Sequence, residues 1–123
     1  MSAGIEFPEG TGCVLVRFVG AIDADEIPRV SEQVLHGTSR SVLLADLTEA
    51  EPVFGRSFFA LLTLALKTRA AGVKLLVVGP DHDLERLIAT TATGRFLPCY
   101  ATVGAALHST HCATRAAQAG NQH

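Results

Sequence analysis

Side chains able to hold a proton, a metal ion or a covalent intermediate are few and scattered in this chain. The five histidines are His36, His82, His108, His111 and His123, and the three cysteines are Cys13, Cys99 and Cys112. No two cysteines form a Cys-x-x-Cys pair, no zinc spacing occurs, and nothing in the spacing requires a Cys99–Cys112 disulfide. His108 and His111 stand i, i+3 beside Cys112, formally a ligand set, but the surrounding stretch is polar and has no apolar face to fix it, so no metal is expected. His82, between Asp81 and Asp83, reads as an exposed helix start. The chain has no Gly-x-Ser-x-Gly elbow, phosphate-binding loop, dinucleotide fingerprint or His-Glu-x-x-His. Two acids stand out by position. Asp46 closes an apolar run and reads as a clamp on the following loop through backbone amides. Asp23 reads as a helix cap. With a structural role for each acid and none of these motifs present, catalysis and a cofactor are not expected.

Composition narrows the remaining classes. The 123 residues are 48% hydrophobic and 18% charged, enough for one domain with a real core. Without Trp, and with a single Tyr, the chain offers no stacking platform for single-stranded nucleic acid. No basic cluster for a phosphate backbone is visible either, so no direct nucleic-acid partner is expected. Net charge is −2, unevenly spread: residues 1–56 hold nine acids against four bases (−5), and residues 57–123 hold six bases against three acids (+3). Lys67, Arg69 and Lys74 interrupt the most apolar stretch, so no membrane insertion is expected. Met1 to Glu9 lacks a basic and then apolar leader pattern, which predicts a cytoplasmic location with reduced thiols.

Periodicity supplies the scaffold. Cys13 to Val19 is a β-branched apolar run between Gly12 and Gly20, hence a strand, with Ile5 to Phe7 as a shorter strand before it. Asp23, with Glu26 three residues on, marks a helix start; Ile27, Val30, Val34 and Leu35 follow at helical spacing, and His36-Gly37 ends it. Ser41 to Leu47 holds the unbroken apolar run Val42 to Ala45, as in a strand buried on both faces. A loop over 48–56 precedes a helix from Ser57, its cap, to about Ala71. That helix carries a stripe of Phe58, Leu61, Leu62, Ala65 and Leu66. Gly72 stops it, and Val73 to Val78 is the next strand. Asp81 caps a further helix through Leu84, Leu87 and Ile88 that Gly94 terminates. Phe96 to Tyr100 is a last short strand, in which Cys99 reads as buried. Val103, Ala106 and Leu107 make a closing helix, and residues 109–123 read as a flexible tail after a single domain over 1–108. Strands alternating with helices predict an α/β fold, with a mixed, mostly parallel sheet of four to five strands and about four helices.

In this order, four segments resemble the STAS domain of anti-sigma factor antagonists. Val16-Arg-Phe-Val-Gly-Ala-Ile-Asp23 resembles the family's strand followed by Gly-x-x-Asp. Val42-Leu-Leu-Ala-Asp46-Leu-Thr48 resembles its Asp-Leu-Ser strand. Arg69-Ala-Ala-Gly-Val-Lys-Leu-Leu-Val-Val-Gly-Pro80 resembles its helix end and next strand. Leu84 to Ile88, then Thr93-Gly-Arg-Phe-Leu97, resembles its final helix and exit. The resemblance spans roughly residues 12–108. It implies a bacterial, cytoplasmic, non-catalytic regulator of transcription that works by partner switching on an anti-sigma factor kinase. An accessory role, binding a nucleotide or lipid or serving a transport ATPase, stands as the alternative, and a homodimer is left open.

One departure bears on mechanism. In partner-switching members the loop after Asp-Leu-Ser ends in Asp-Ser-Ser-Gly, whose first Ser is phosphorylated. Counted without gaps from Asp46, those positions are Phe54, Gly55, Arg56 and Ser57. Gly55 has no hydroxyl, and sliding Ser57 into its place would put the helix beginning Phe58-Phe-Ala out of phase. No phosphorylation site is therefore expected, with Ser57 the weak candidate. The resemblance places partner binding on Asp23, Glu51, Phe54, Gly55, Arg56, Ser57 and Phe58. Phe54 fits two readings, an exposed anchor or a side chain folded into the core, and the sequence leaves both open.

Overall fold

The computed structural model describes residues 2–6, 12–22, 24–35, 42–53 and 55–109. Five strands form one sheet in sequential order: β1 (Ser2–Glu6), β2 (Cys13–Gly20), β3 (Val42–Ala50), β4 (Lys74–Val78) and β5 (Cys99–Tyr100). β1 pairs antiparallel with β2, and every later neighbour pairs parallel. Between the strands lie α1 (Ile27–Leu35), entered through a 3-10 turn at Ala24–Glu26, then α2 (Arg56–Ala70) and α3 (His82–Thr91). A closing helix, α4, spans 103–109. The α/β architecture with a mixed, mostly parallel sheet is the one the alternation of patterns predicts.

Side-chain alternation divides the core in two. Val14, Val16 and Phe18 of β2, Leu43, Ala45 and Leu47 of β3, and Leu75 and Val77 of β4 face α1, α2 and α3. Cys13, Leu15, Leu44, Leu76 and Val78 face the other way, where Ala106 of α4 covers them. Strands buried on both faces explain the continuous apolar runs. The larger layer holds Phe18, Ile27, Leu61, Leu64 and Leu84, each 2% exposed or less. A side chain of this kind contributes about 1.5–3 kcal/mol by burial, so truncating Leu61 or Leu64 removes a large share of a small domain's stability.

Several boundaries differ from the sequence expectation, each for a local reason. β3 runs three residues beyond Leu47, because Val19 and Gly20 of β2 continue to pair with Glu49 and Ala50. The predicted 48–56 loop is shortened accordingly. α2 begins at Arg56 with Gly55 as its N-cap, so Ser57 is inside the helix and is not its cap. Leu66 of the predicted stripe is 45% exposed, and Leu64 and Thr68 occupy the buried positions. Thr68 is accommodated there because its hydroxyl donates to the Ala65 carbonyl at 3.0 Å. α3 ends at Thr91, three residues before its predicted stop at Gly94, because Ala92 takes the left-handed region at φ 57. β5 is only Cys99–Tyr100; residues 93–97 are a tight turn in which Thr93 O accepts from Phe96 and Leu97 N–H. Ser109, assigned to the tail by sequence, is still helical, and its hydroxyl lies 2.8 Å from the Tyr100 hydroxyl. The predicted helix end at His36-Gly37 and residues 110–123 lie outside the described residues.

Candidate functional site

The carboxyl edge of the sheet is built around Asp46. Between Arg17 and Val19 the β2–β3 register slips by one residue, so β3 carries an extra residue there. The slip takes Thr48 out of the regular ladder, and Asp46 takes up its polar groups. Asp46 Oδ1 accepts from the Thr48 amide at 3.0 Å and from the Thr48 hydroxyl. Oδ2 meets Arg17 Nε at 3.4 Å, and Arg17 also reaches Glu6 Oε2 at 3.5 Å. Asp46 is only 4% exposed, so these partners stabilise a carboxylate that burial alone would penalise. It clamps the backbone where the sequence suggested, though four residues of strand follow it.

Thr48 is held from a second side. A Cβ at Gly79 would lie 2.7 Å from Thr48 Cγ2 and 3.4 Å from its Cα, so only glycine lets β4 end this close to β3. Beyond β3, the Glu51 amide donates to Gly20 O at 2.8 Å, and Val53 is buried at 3% exposure. These anchors lead the chain into Gly55 at φ 57, ψ −121, a backbone region mirroring the extended one. Gly55 O accepts the Phe59 amide at 3.1 Å and starts α2.

The residues assigned to partner binding separate at this point. Glu51, Gly55 and Arg56 are exposed at the carboxyl edge, and Ser57 is half-buried in the first turn of α2. Phe58 is not a surface residue: it is 4% exposed and belongs to the core, because the first turn of α2 aims that position at the sheet. Its neighbour Phe59 points outward at 66% exposure, edge-on to the Phe58 ring with centroids 6.1 Å apart. Sequence reasoning passed over Phe59. The signal was present, since Phe58 fits the i, i+3 series with Leu61 and Phe59 falls one position off it. Asp23 and Phe54 lie outside the described residues.

Phe59 borders a groove of about 250 Å³ between α1 and α2, with Ile27 and Pro28 on one wall and Ala60, Arg56 and Lys67 on the other. The groove is apolar at its base and cationic at both ends of its α2 wall. An exposed aromatic in such a setting is the usual anchor of a protein interface. Arg56 stands at a helix N-terminus, where the dipole disfavours a cation, so its presence costs the fold a little and suits an acidic partner.

Among the described residues, no three of His, Cys, Asp and Glu converge as a metal site. Cys13 is fully buried. Cys99 is half-buried, less than its strand position predicts, because β5 is an edge strand of two residues. Burial, and then the Glu85 carboxylate, push its thiol up from 9.0 to about 11, and the Sγ donates to Leu97 O at 3.3 Å. It is a protonated, unreactive thiol. No described helix is long and apolar enough to cross a membrane.

A five-stranded mixed sheet with three helices on one face, and a bulged strand feeding a glycine-capped helix, define a class of small α/β domain. The STAS domain family matches residues 4–106, and the chain belongs to that family. Solved structures agree in fold. An anti-sigma factor antagonist from Mycobacterium paratuberculosis is 22% identical with TM-score 0.69, covering 89% of this chain and 93% of its own. A putative anti-sigma factor antagonist from Thermotoga maritima is 14% identical with TM-score 0.67, covering 89% and 94%. The Bacillus anti-sigma factor antagonist SpoIIAA, in its unphosphorylated form, is 11% identical with TM-score 0.68, covering 89% and 96%. No curated protein matches the chain in sequence.

Proposed function

We propose that the chain is a non-catalytic regulator that binds an anti-sigma factor kinase through the start of α2 and the adjoining α1–α2 groove. One observation carries this reading: Phe59 stands 66% exposed beside an apolar groove, one turn from the exposed helix start at Gly55. Folding gains little from a solvent-facing phenyl ring, whereas a partner pocket gains a rigid apolar anchor at low entropic cost. Glu51, Gly55, Arg56 and Ser57 form the polar rim, and Asp23 and Phe54 remain in the proposed set. In this reading Phe59, and not the buried Phe58, is the aromatic that faces the partner.

Binding in this reading is not switched by phosphate at the family position. Gly55 holds the N-cap of α2 and has no hydroxyl. Ser57 is half-buried inside the helix, where a kinase would have to unwind the first turn to reach it.

The test is co-purification from the source cell followed by titration. An anti-sigma factor kinase should be recovered, and Phe59→Ala should weaken its binding at least about tenfold, within the range for a hot-spot aromatic. Arg56→Glu should weaken it further. Recovery of a transport ATPase in place of the kinase, or equal affinity of Phe59→Ala and the parent chain, would overturn the reading. Stoichiometric phosphate on Ser57 after incubation with the kinase and ATP would refute the absence of a switch.

A further inference from the structure

The opposite, amino-terminal end of the parallel sheet holds a second cavity of about 460 Å³, larger than the groove and within the usual range for small-molecule sites. Three cations from three separate elements line it: Arg69 in the last turn of α2, Lys74 at the start of β4, and Arg95 in the turn before β5. Val73, Leu75 and Phe96 supply its apolar surface.

The arrangement of these cations is not explained by folding. Arg69 and Arg95 both stack on the Phe96 ring, each guanidinium carbon 4.8 Å from the centroid, so the two charges are at most 9.6 Å apart. At that separation physiological salt, with a screening length of about 8 Å, leaves part of their repulsion in place. Lys74 adds a third positive charge, and no carboxylate lines the cavity. Among the described residues none of the three has an ion-pair partner. The α2 dipole accounts for Arg69 alone. Nor are the cations needed to cap that helix, since Ala71, Gly72 and Val73 amides already satisfy the carbonyls of Thr68 and Arg69.

The walls are fixed. Gly72 turns the chain at φ 82 between α2 and β4. On the other side, fully buried Leu97 and the Thr93 turn hold Arg95 and Phe96 in place. Stacking on one half-buried ring restrains both guanidinium groups, which lowers the entropic cost of engaging a ligand.

We propose that this cavity binds a small organic phosphate. The phosphate lies among Arg69, Lys74 and Arg95, and an apolar or aromatic body rests on Val73, Leu75 and Phe96. A phosphate dianion offsets most of a triple positive charge, and its several oxygens can be shared among donors from three directions. This site is independent of the groove beside Phe59 and stands whether or not that groove binds a kinase.

The test is an NMR titration of the ¹⁵N-labelled full chain at low salt with phenyl phosphate, inorganic phosphate and benzoate. Phenyl phosphate should shift the amides of residues 69–75 and 93–97 saturably and leave 55–60 unmoved. Benzoate, with one charge, should bind at least about tenfold more weakly, and inorganic phosphate should lie between them. The double substitution Lys74→Gln, Arg95→Gln should lose most of the phenyl phosphate affinity without altering the spectrum elsewhere. Should that variant misfold, Arg69→Gln carries the same expectation. Absence of saturable shifts in these segments, equal affinity for benzoate, or unchanged binding by the folded variants would overturn the proposal.

Discussion

Replacing Gly55 with serine puts a hydroxyl at the position that the resemblance matches to the family's switch serine, and exposes what the backbone there demands. Space is not the obstacle, because a Cβ at Gly55 would meet nothing within 4 Å. The obstacle is φ 57 with ψ −121, a region L residues occupy only at a cost of about 1–3 kcal/mol. Serine is a good N-cap elsewhere and gains ~1 kcal/mol there, but its capping geometry needs an extended backbone with negative φ. To gain the cap, the chain must flip at residue 55 and disturb the bond from the Phe59 amide to Gly55 O. Strain and cap therefore oppose each other, and a net loss of ~1–2 kcal/mol is expected, roughly 4–10 °C in Tm for a domain of this size. Gly55→Ala meets the same strain with no cap to gain, so it should be the less stable of the two. Urea unfolding of the three proteins measures this directly. A Gly55→Ser midpoint equal to or above the parent's, at unchanged slope, would refute the argument and mean that the loop is not held at positive φ. Incubated with the proposed kinase and ATP, Gly55→Ser should accept phosphate at residue 55, a position without a hydroxyl in the parent.

Gly79→Ala should cost more than ~2 kcal/mol, because it combines φ 68 with a methyl 2.7 Å from Thr48 Cγ2 beside a backbone atom; a melt within 2–3 °C of the parent would contradict the close approach. Asp46→Ala should cost ~1–3 kcal/mol by leaving the Thr48 amide and Arg17 Nε without their Asp46 acceptor, read by the same unfolding curves. Phe59→Ala should change stability by less than ~0.5 kcal/mol, since the ring is mostly in solvent, so any binding loss it causes cannot be charged to misfolding. Cys99, with its thiol at about 11, should react with thiol reagents at pH 8 roughly a hundredfold more slowly than a thiol titrating at 9.0, measured against the unfolded chain. The unfolded chain sheds that proton first as pH rises from about 9 towards 11, so the Cys99 contribution to stability is intact below 9 and lost across that interval.

The fold was legible because its signals are long and redundant. β2, β3 and β4 are each apolar on both faces, so their runs are continuous, and each is followed by a helix with apolar residues at helical spacing. Asp81 was readable as a cap from type and spacing alone, and its carboxylate does accept the Leu84 amide at 2.7 Å. Errors fell where a tertiary contact decided the outcome. Thr48 to Ala50 carry polar residues and look like loop; only pairing with β2 makes them strand. Ala92 takes a conformation that usually selects glycine, and no local rule foretells it. Ser57 has the right type for a cap but stands two residues too late, because Gly55 already provides the turn.

The site was less legible, for a reason the pair Phe58–Phe59 makes plain. Two identical residues in adjacent positions differ only in the direction a helix gives them, and 100° of rotation separates a 4% exposed ring from a 66% exposed one. Sequence reading placed Phe58 in both the buried stripe and the partner-binding set and passed over Phe59. The second cavity was less visible still. Arg69, Lys74 and Arg95 are isolated charges in sequence, each easily read as solvent-facing. They become one feature only because the α2–β4 turn and the turn before β5 arrive at the same end of the sheet. The two sites thus sit at opposite ends of one parallel sheet. A domain built this way can hold a protein at its carboxyl edge while its amino edge remains open to a small anion, and titrating phenyl phosphate into the kinase complex would show whether occupancy of one edge changes affinity at the other.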